Sequence, residues 1–374
     1  MNILAHGSAA ETVVDRVTAL VPQMQQNAKE ADDMAAFPSE DIAALRDAGV
    51  LALSLPIEQN PWSDDVGAAV GQLSGVLMRI GMGNLAVGRI VEAHINARHL
   101  IARYGSPDQK TRAVAQASAG HLFALWVTDP PGENLRMIRT PDGFRLDGGK
   151  VFCSAAGFAT RALVTAVDDA GHSRMLLISL GNGERVRPLK APLQGMRAAV
   201  TGAVDFSGCT TDRDACLGEP SDYLREPDFS AGAWRGSAVA AGGLRSLVDM
   251  ATAQLQTVGR LDNQHHLQRL GYAMIAWETS RLWVRQTARI AEDRNADPAR
   301  TVAYAGLARI AVEAACLDAM RLVQRSLGLS AFRCGNPVER VCRDLATYLR
   351  QPAPDDVLTE AAAHLADQPL PDCA

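Results

Sequence analysis

Apolar residues recur at helical spacing near both ends of the chain and at strand spacing in its middle. Residues 1–120 contain several helical stretches, of which FPSEDIAALRDAGVLALSL is the clearest. Pro38 and the acids after it predict the start of a helix, and Gly49 predicts its end. Ile42 and Leu45 form the apolar face between them. The first third of the chain is therefore predicted to be a helical domain.

From residue 121 to 228 the hydrophobic period shortens towards two, which is typical of strands. RALVTAV, RMLLISL and GAVDFSG are strand candidates separated by polar and glycine-rich turns. GFRLDGGKVFCS reads as a hairpin, with Asp147, Gly148 and Gly149 at the turn and Val151 opening the return strand. The pattern predicts a small antiparallel β domain in the middle of the chain.

Residues 229–374 return to helical spacing and predict a C-terminal helical bundle. Gly242 and Gly243 lie on the apolar face of one long helix, where they would allow a neighbouring helix to approach closely. LGYAMIAW and IAVEAACLDAM carry more apolar surface than one core uses. The fold class is therefore predicted to be mainly α with a middle β domain, assembled as a homodimer or homotetramer.

Composition narrows the possible functions. The 374 residues are 47% hydrophobic, which is enough for a large core, and the net charge of −5 argues against a nucleic-acid partner. The chain has no signal-peptide pattern and no long apolar run, so no membrane span is expected. Seven cysteines without C-x-x-C spacing indicate a reducing, cytoplasmic location. The histidine pairs lack metal-ligand spacing, so no metal site is expected.

Five stretches together indicate a known family. They are FPSEDIAALRDAGVLALSLP, LWVTDPPGEN, LDGGKVFCSAAGFATRALVTA, LQGMRAAVTGAVDFSGC and NPVERVCRDLATYL. In this order the chain resembles the acyl-CoA dehydrogenase flavoprotein superfamily. The last four stretches are similar to its Thr-Glu-Pro motif, its Asn-Gly-x-Lys strand pair, its Gly-Met-Arg segment and its Pro-Val-x-Arg-x-x-Arg-Asp helix. The resemblance covers nearly all of the chain and implies the same order of three domains.

The resemblance also implies a flavin site with FAD, an acyl-CoA-type substrate and an electron-transfer flavoprotein as partner. Val127 and Thr128 would contact the pyrimidine edge of the flavin, and Phe152 and Ser154 would cover the ring near N5. Asn134 falls near the pyrophosphate. The implied cofactor-binding residues are Trp126, Val127, Thr128, Asn134, Phe152, Ser154, Gln324 and Gly328.

The catalytic base of the family is missing from this sequence. The register after the Arg-Asp pair places Pro352 where the common dehydrogenases have a glutamate. The second position used by some relatives falls near Arg235 or Gly236. Asp355 and Asp356 are the nearest acids, either as substitutes for the base or as solvated acids at the start of a helix.

The pyrophosphate anchor also departs from the family pattern. Leu255 replaces the arginine that binds the diphosphate, although Arg260 lies close by. The turn around Gln324 and Gly328 keeps those two residues, whereas Leu327 and Ser330 replace glycines. FAD binding is therefore expected to be weak.

Three functions remain open on these observations. The first is an FAD-dependent oxidoreductase acting on the CH–CH group of an acyl-CoA thioester. The second is a reduced-flavin-dependent monooxygenase on the same scaffold, which needs no base for an α proton. The third is a non-catalytic member of the superfamily. Bound yellow flavin would favour the first, whereas oxygen consumption with added reduced flavin would favour the second.

Overall fold

The computed structural model describes residues 11–59, 65–181 and 183–366. Helices form both ends of the molecule and strands form its middle, as predicted. The N-terminal helices are α1 (Val13–Asp33), α2 (Ser39–Asp47), α3 (Asp65–Gly83), α4 (Leu85–Tyr104) and α5 (Pro107–Ser118). The C-terminal helices are α6 (Asp228–Ala231), α7 (Ala233–Thr257), α8 (Gln264–Glu292), α9 (Pro298–Leu327), α10 (Pro337–Tyr348) and α11 (Pro354–Ala366).

The strands between them form two sheets. They are β1 (Phe123–Trp126), β2 (Arg136–Thr140), β3 (Gly143–Asp147), β4 (Gly149–Cys153), β5 (Arg161–Val167), β6 (Ser173–Ser179), β7 (Arg185–Pro188), β8 (Gly202–Asp205), β9 (Thr210–Asp212) and β10 (Cys216–Leu217). The larger sheet has the order β10-β6-β5-β2-β3-β9, with β1 also pairing with β5. The smaller sheet has the order β4-β8-β7. Most pairs are antiparallel, but β1 and β2 run parallel to β5, so the larger sheet is mixed.

The predicted hairpin across Asp147, Gly148 and Gly149 is wrong. β3 pairs with β2 and β9, whereas β4 pairs with β8 in the other sheet. Gly148 carries the chain between the sheets with a φ of 107°, and a side chain there would meet the Asn134 carbonyl oxygen at 3.0 Å. The predicted turn residues are confirmed, but the predicted pairing of β3 with β4 is not.

The glycines of α7 allow the closest helix contact in this part of the core. A methyl group on Gly242 would overlap with the Met78 carbonyl oxygen of α3, and one on Gly81 of α3 would overlap with the Val239 carbonyl oxygen of α7. The predicted close approach is thus confirmed. This crossing brings the N-terminal helices against the C-terminal bundle in one continuous core.

The changes between helix and strand fall near the predicted domain limits. α5 ends at Ser118 before β1 begins at Phe123, and α6 begins at Asp228 after β10. Division into domains at residues 120 and 228 stays a prediction. Over the described ranges, no helix has both the length and the apolar character needed to cross a bilayer.

Gly242→Ala should destabilise the protein because the added methyl group forces α3 and α7 apart. We expect the free energy of unfolding to fall by about 1–3 kcal/mol in urea denaturation. Gly71→Ala is the matched control, because it lies on α3 with open space around the added methyl group. It should leave stability unchanged or raise it by about 0.5–1 kcal/mol. Equal effects of the two variants would contradict the tight crossing.

Candidate functional site

A loop of the β domain is hydrogen-bonded to helix α10. The Met196 backbone N–H donates to Asp344 Oδ1 at 2.6 Å, and the Gly195 N–H donates to Thr347 Oγ1 at 3.1 Å. A side chain on Gly195 would overlap with the Arg343 carbonyl oxygen, so only glycine fits there. The Gly-Met-Arg and Arg-Asp stretches of the sequence therefore meet in space. They form the junction between the sheets and the bundle.

The buried end of this junction holds an unusual carboxyl group. Asp344 is 3% exposed. Burial raises the pKa of Asp344 to about 6, although the Met196 N–H bond and the nearby Arg340 act in the opposite direction. Arg343 pairs with Asp32 of α1 through two hydrogen bonds, at 2.6 and 3.1 Å. These contacts hold α1, α10 and the β domain in one arrangement.

Two of the predicted flavin-contacting segments lie side by side next to this junction. The Val151 N–H donates to the Thr128 carbonyl oxygen at 2.9 Å, and Trp126 Nε1 donates to the Ser154 carbonyl oxygen at 3.0 Å. Thr128 is exposed, and Phe152 is 53% exposed despite its apolar ring. Trp126 and Ser154 are buried, so the hydrogen bond from the Trp126 indole joins the two segments on their buried side. The structure thus brings the two predicted segments together, with Thr128 and Phe152 exposed and Trp126 and Ser154 buried.

Lys150 and Asp129 fix the loop that carries Val127 and Thr128. Lys150 is buried and its Nζ donates to Asp129 Oδ1 at 2.6 Å, to Thr165 Oγ1 at 3.0 Å and to the Val127 carbonyl oxygen at 3.3 Å. Burial lowers the pKa of Lys150, and Asp129 counteracts that effect. Sequence reasoning missed this pair. The signal was available, because both residues belong to the quoted motifs.

The backbone beside these segments is strained. Phe152, Ala155, Met196 and Val200 all have positive φ, between 44° and 59°. This conformation is unfavourable for residues with a Cβ, and most of all for a β-branched valine. The Ala155 N–H donates to the Ala199 carbonyl oxygen at 2.8 Å, which joins the two strained segments. Such strain clusters at sites where backbone groups are shaped for a ligand.

The remaining predicted flavin contacts lie apart from this surface or at its edge. Asn134 is exposed in the loop between β1 and β2, which Asp129 closes by accepting from the Leu135 N–H. Gln324 and Gly328 lie at the end of α9, a helix that packs on α8, α7 and α11. The structure does not group them with Thr128, and their contact with the cofactor stays a prediction.

Neither predicted substitute for the base lies in a protected environment. Asp355 and Asp356 are exposed in the first turn of α11, where negative charge stabilises the N-terminus of the helix. Pro352 is also exposed. The structure therefore favours the role of helix-start acids for this pair over that of a catalytic base.

Arg235, at the second base position, is part of a buried ionic network. Its guanidinium donates to Glu292 Oε1 at 2.6 Å, to His99 Nδ1 at 2.9 Å and to Asn96 Oδ1 at 3.1 Å. Burial and then the Arg235 charge lower the pKa of His99 well below its usual value, so this histidine is neutral. Arg235 is held within the core and cannot accept a proton.

The next residue, Gly236, opens a small polar notch. A Cβ there would lie 3.4 Å from the Tyr348 hydroxyl oxygen and 3.9 Å from Glu92 Oε1, and no other atom outside the local backbone of α7 would lie within 4 Å. Glu92 accepts hydrogen bonds from Arg89 and, at 2.6 Å, from Asn96. Sequence reasoning missed both Glu92 and Tyr348. Nothing in the local pattern connects these residues, because they lie on α4, α7 and α10.

The residues present fit the ring of a flavin better than its diphosphate. Thr128 and Phe152 offer a hydroxyl group and an aromatic wall on one exposed, strained surface. In contrast, Leu255 is 1% exposed and packs in the core, so the position of the family's arginine presents no charge. Arg260 is exposed five residues later. A flavin would be held here mainly through its ring.

No family model matches the chain. The chain is 26% identical over 229 residues to the amino sugar nitrososynthase DnmZ of Streptomyces peucetius, covering 57% of this chain and 55% of that protein. It spans about half the length of the curated relatives it matches. FMN-bound TdsC from Paenibacillus sp. A11-2 superposes with a TM-score of 0.85 at 19% identity, covering 96% of this chain and 98% of the other.

A glutaryl-CoA dehydrogenase from Mycobacterium smegmatis, in complex with FADH2, superposes with a TM-score of 0.81 at 18% identity. That match covers 94% of this chain and 93% of the other. Likeness at this level of identity establishes a shared fold. It confirms the predicted order of helical, β and helical parts.

Asp344→Asn should gain stability relative to the wild type as the pH rises from about 4 to about 6. The pKa of Asp344 is raised from 3.8 to about 6, so the folded protein holds this proton more tightly than the unfolded chain does. The wild type therefore loses stability as the carboxyl group ionises, whereas asparagine can still accept from Met196 without ionising. The gain should total about 1–3 kcal/mol.

Urea unfolding at several pH values across this range measures the difference in stability between variant and wild type. Asp356→Asn, on the exposed first turn of α11, is the matched control for loss of an aspartate. If the Asp344→Asn curve ran parallel to that of the wild type, the buried carboxyl group would not be responsible.

Proposed function

The chain has the acyl-CoA dehydrogenase fold, and on that premise we propose that it is a flavin-dependent oxidoreductase working as a reduced-flavin-dependent monooxygenase. The observation that carries the proposal is the pair of base positions. Pro352 is exposed and Gly236 has no side chain. Dehydrogenation of an acyl thioester needs an acceptor for the α proton within hydrogen-bonding reach. A monooxygenase on this scaffold has no α proton to remove.

The comparisons support the same reaction class. DnmZ is an amino sugar nitrososynthase, and TdsC is a dibenzothiophene monooxygenase with FMN bound in two of its structures. The buried Leu255 agrees with a flavin that does not depend on a clamp around its diphosphate. FMN, or FAD held loosely, is therefore the proposed cofactor.

The residues of the chain would bind and orient the flavin, and the flavin would carry out the redox step. A bound reduced flavin would supply two electrons, so that one atom of O2 enters the substrate and the other leaves as water. Val127 and Thr128 would bind the pyrimidine edge, with their loop held by Lys150. Phe152 would cover the ring and keep water from it, and Ser154 would lie near N5.

Acyl-CoA dehydrogenation is the second candidate, and one observation favours it. The Glu92 carboxylate lies 3.9 Å from the Cβ position of Gly236, so a carboxylate reaches the second base position from another helix. With Glu92 as the base, the substrate would be an acyl-CoA thioester and an electron-transfer flavoprotein would accept the electrons. A cytoplasmic location stays a prediction under either candidate.

Flavin titration and oxygen uptake distinguish these functions. We expect the purified protein to bind reduced FMN under anaerobic conditions, and to consume oxygen when that flavin is supplied. Bleaching of bound oxidised flavin by an added acyl-CoA would instead support dehydrogenation. A protein that takes up neither FMN nor FAD in either redox state would be a non-catalytic member of the fold.

The double variant Thr128→Val with Ser154→Ala should weaken flavin binding about tenfold or more, because each lost donor or acceptor costs about 1 kcal/mol. Thr210→Val is the matched control, because Thr210 is exposed on β9. It should bind flavin as the wild type does. Unchanged binding in the double variant would remove these residues from the site.

We also propose that the chain self-associates through α8. Leu267, Met274, Ile275 and Leu282 are all exposed, and their spacing of seven and eight residues places them along one side of the helix. An exposed apolar stripe of this kind is usually covered by another protein surface. We expect a homodimer or homotetramer of 39.8 kDa chains in sedimentation. Ile275→Lys should shift it towards monomer, whereas Val186→Lys, on the exposed strand β7, should not.

A further inference from the structure

We propose that Glu92, Tyr348 and Gly236 form the polar end of the substrate pocket, and that the substrate presents a hydroxyl or neutral amino group to them. The three residues come from α4, α10 and α7, three helices that meet beside the strained 196–200 loop. The inference names the substrate class for the function proposed above and rests on that function. Binding at the notch itself needs no flavin.

The notch is open because Gly236 has no side chain. A methyl group there would be in ordinary contact with the Tyr348 hydroxyl and the Glu92 carboxylate, and with no other atom outside the local backbone of α7. The space above Gly236 is therefore bordered by one hydroxyl group and one carboxylate oxygen. Both polar groups face the position that the missing side chain leaves free.

Tyr348 supplies a buried hydrogen-bond donor that makes no well-formed hydrogen bond, although the Glu92 carboxylate lies beside it. Its side chain is 7% exposed, and its hydroxyl group is buried without a hydrogen-bond partner among the described residues. Burial, followed by the nearby Glu92 charge, raises the pKa of Tyr348 well above its usual value, so the group keeps its proton. Buried donors are almost always satisfied in folded proteins, and an unsatisfied one points to a missing acceptor. A substrate oxygen or nitrogen over Gly236 would be that acceptor.

Glu92 supplies the matching acceptor. Its side chain is 8% exposed, with Oε2 bonded to Arg89 and Oε1 bonded to Asn96. A carboxylate oxygen has more than one lone pair, so Oε1 can accept another hydrogen bond on the side of the notch. Arg89 already balances the negative charge, so the notch does not require a cation.

A donor and an acceptor directed at one point select a group that does both. A hydroxyl group accepts from Tyr348 and donates to Glu92, and a neutral amine does the same. An ether or keto oxygen would satisfy Tyr348 alone, and an alkyl group would satisfy neither. Leaving one member of such a pair unsatisfied strongly disfavours the analogue that lacks the hydroxyl or amino group.

Phenol and anisole are the probes, because they differ in whether the oxygen can donate. Calorimetric titration of the full chain without flavin should show phenol binding about tenfold or more tightly than anisole, as expected for a hydrogen bond to a charged acceptor. Glu92→Gln should remove most of this preference. Tyr348→Phe should weaken both probes.

Gly236→Ala tests the notch without removing a polar group. The added methyl group occupies the space in ordinary contact, so the variant should fold and keep or raise the melting temperature. It should weaken phenol binding about tenfold. Glu292→Gln is the matched control, because Glu292 is also a buried, arginine-paired carboxylate but bonds to Arg235 and Trp234. It should keep the preference for phenol.

Equal binding of phenol and anisole, no detectable phenol binding, or a Gly236→Ala variant that binds phenol like the wild type would each overturn the proposal. Flavin titration of the same variants separates this result from the proposed function. A protein that uses reduced flavin but does not distinguish phenol from anisole would contradict only the proposed notch. A protein that distinguishes the two probes but takes up no flavin would support the notch and contradict the proposed reaction.

Discussion

The contact between the 195–196 loop and α10 is the constraint on which the site depends. Gly195 must be glycine because the Arg343 carbonyl oxygen occupies the space of a side chain, and the Met196 N–H then reaches the buried Asp344. Arg343 extends the same contact to α1 through Asp32. If this junction moved, the strained loop would leave α4 and α10, and the surface around Thr128 and Phe152 would separate from the polar notch. Local backbone strain persists only where the surrounding contacts hold it in place.

The two parts of the site have changed to different degrees. The surface formed by Thr128, Phe152 and their supporting residues keeps the features expected of a flavin ring site, including the buried Lys150 that holds the loop. Both base positions and the diphosphate arginine have been lost, and Glu92 and Tyr348 lie beside one of the vacated positions. This combination is the basis of the proposed reaction with reduced flavin.

Several buried groups contribute little to the stability of the fold. Arg235 and Glu292 are both almost completely buried, and such a pair often contributes less to stability than well-packed apolar residues would. Glu292 also accepts from Trp234 Nε1, and Arg235 also donates to His99 and Asn96. An unpartnered Tyr348 hydroxyl and several strained residues also cost free energy without stabilising the fold.

The sequence by itself determined the order of the three parts, the helix limits around Pro38 and Gly49, and the need for close helix packing at Gly242. These features follow from local preference and from periodicity, which reports the face of each element that is buried. Periodicity does not report the partner. For that reason the turn at Gly148 was recognised, but the passage between two sheets was not. Only the tertiary structure placed Glu92, Gly236 and Tyr348 around one notch, because residues so distant in sequence meet only when three separate helices pack together.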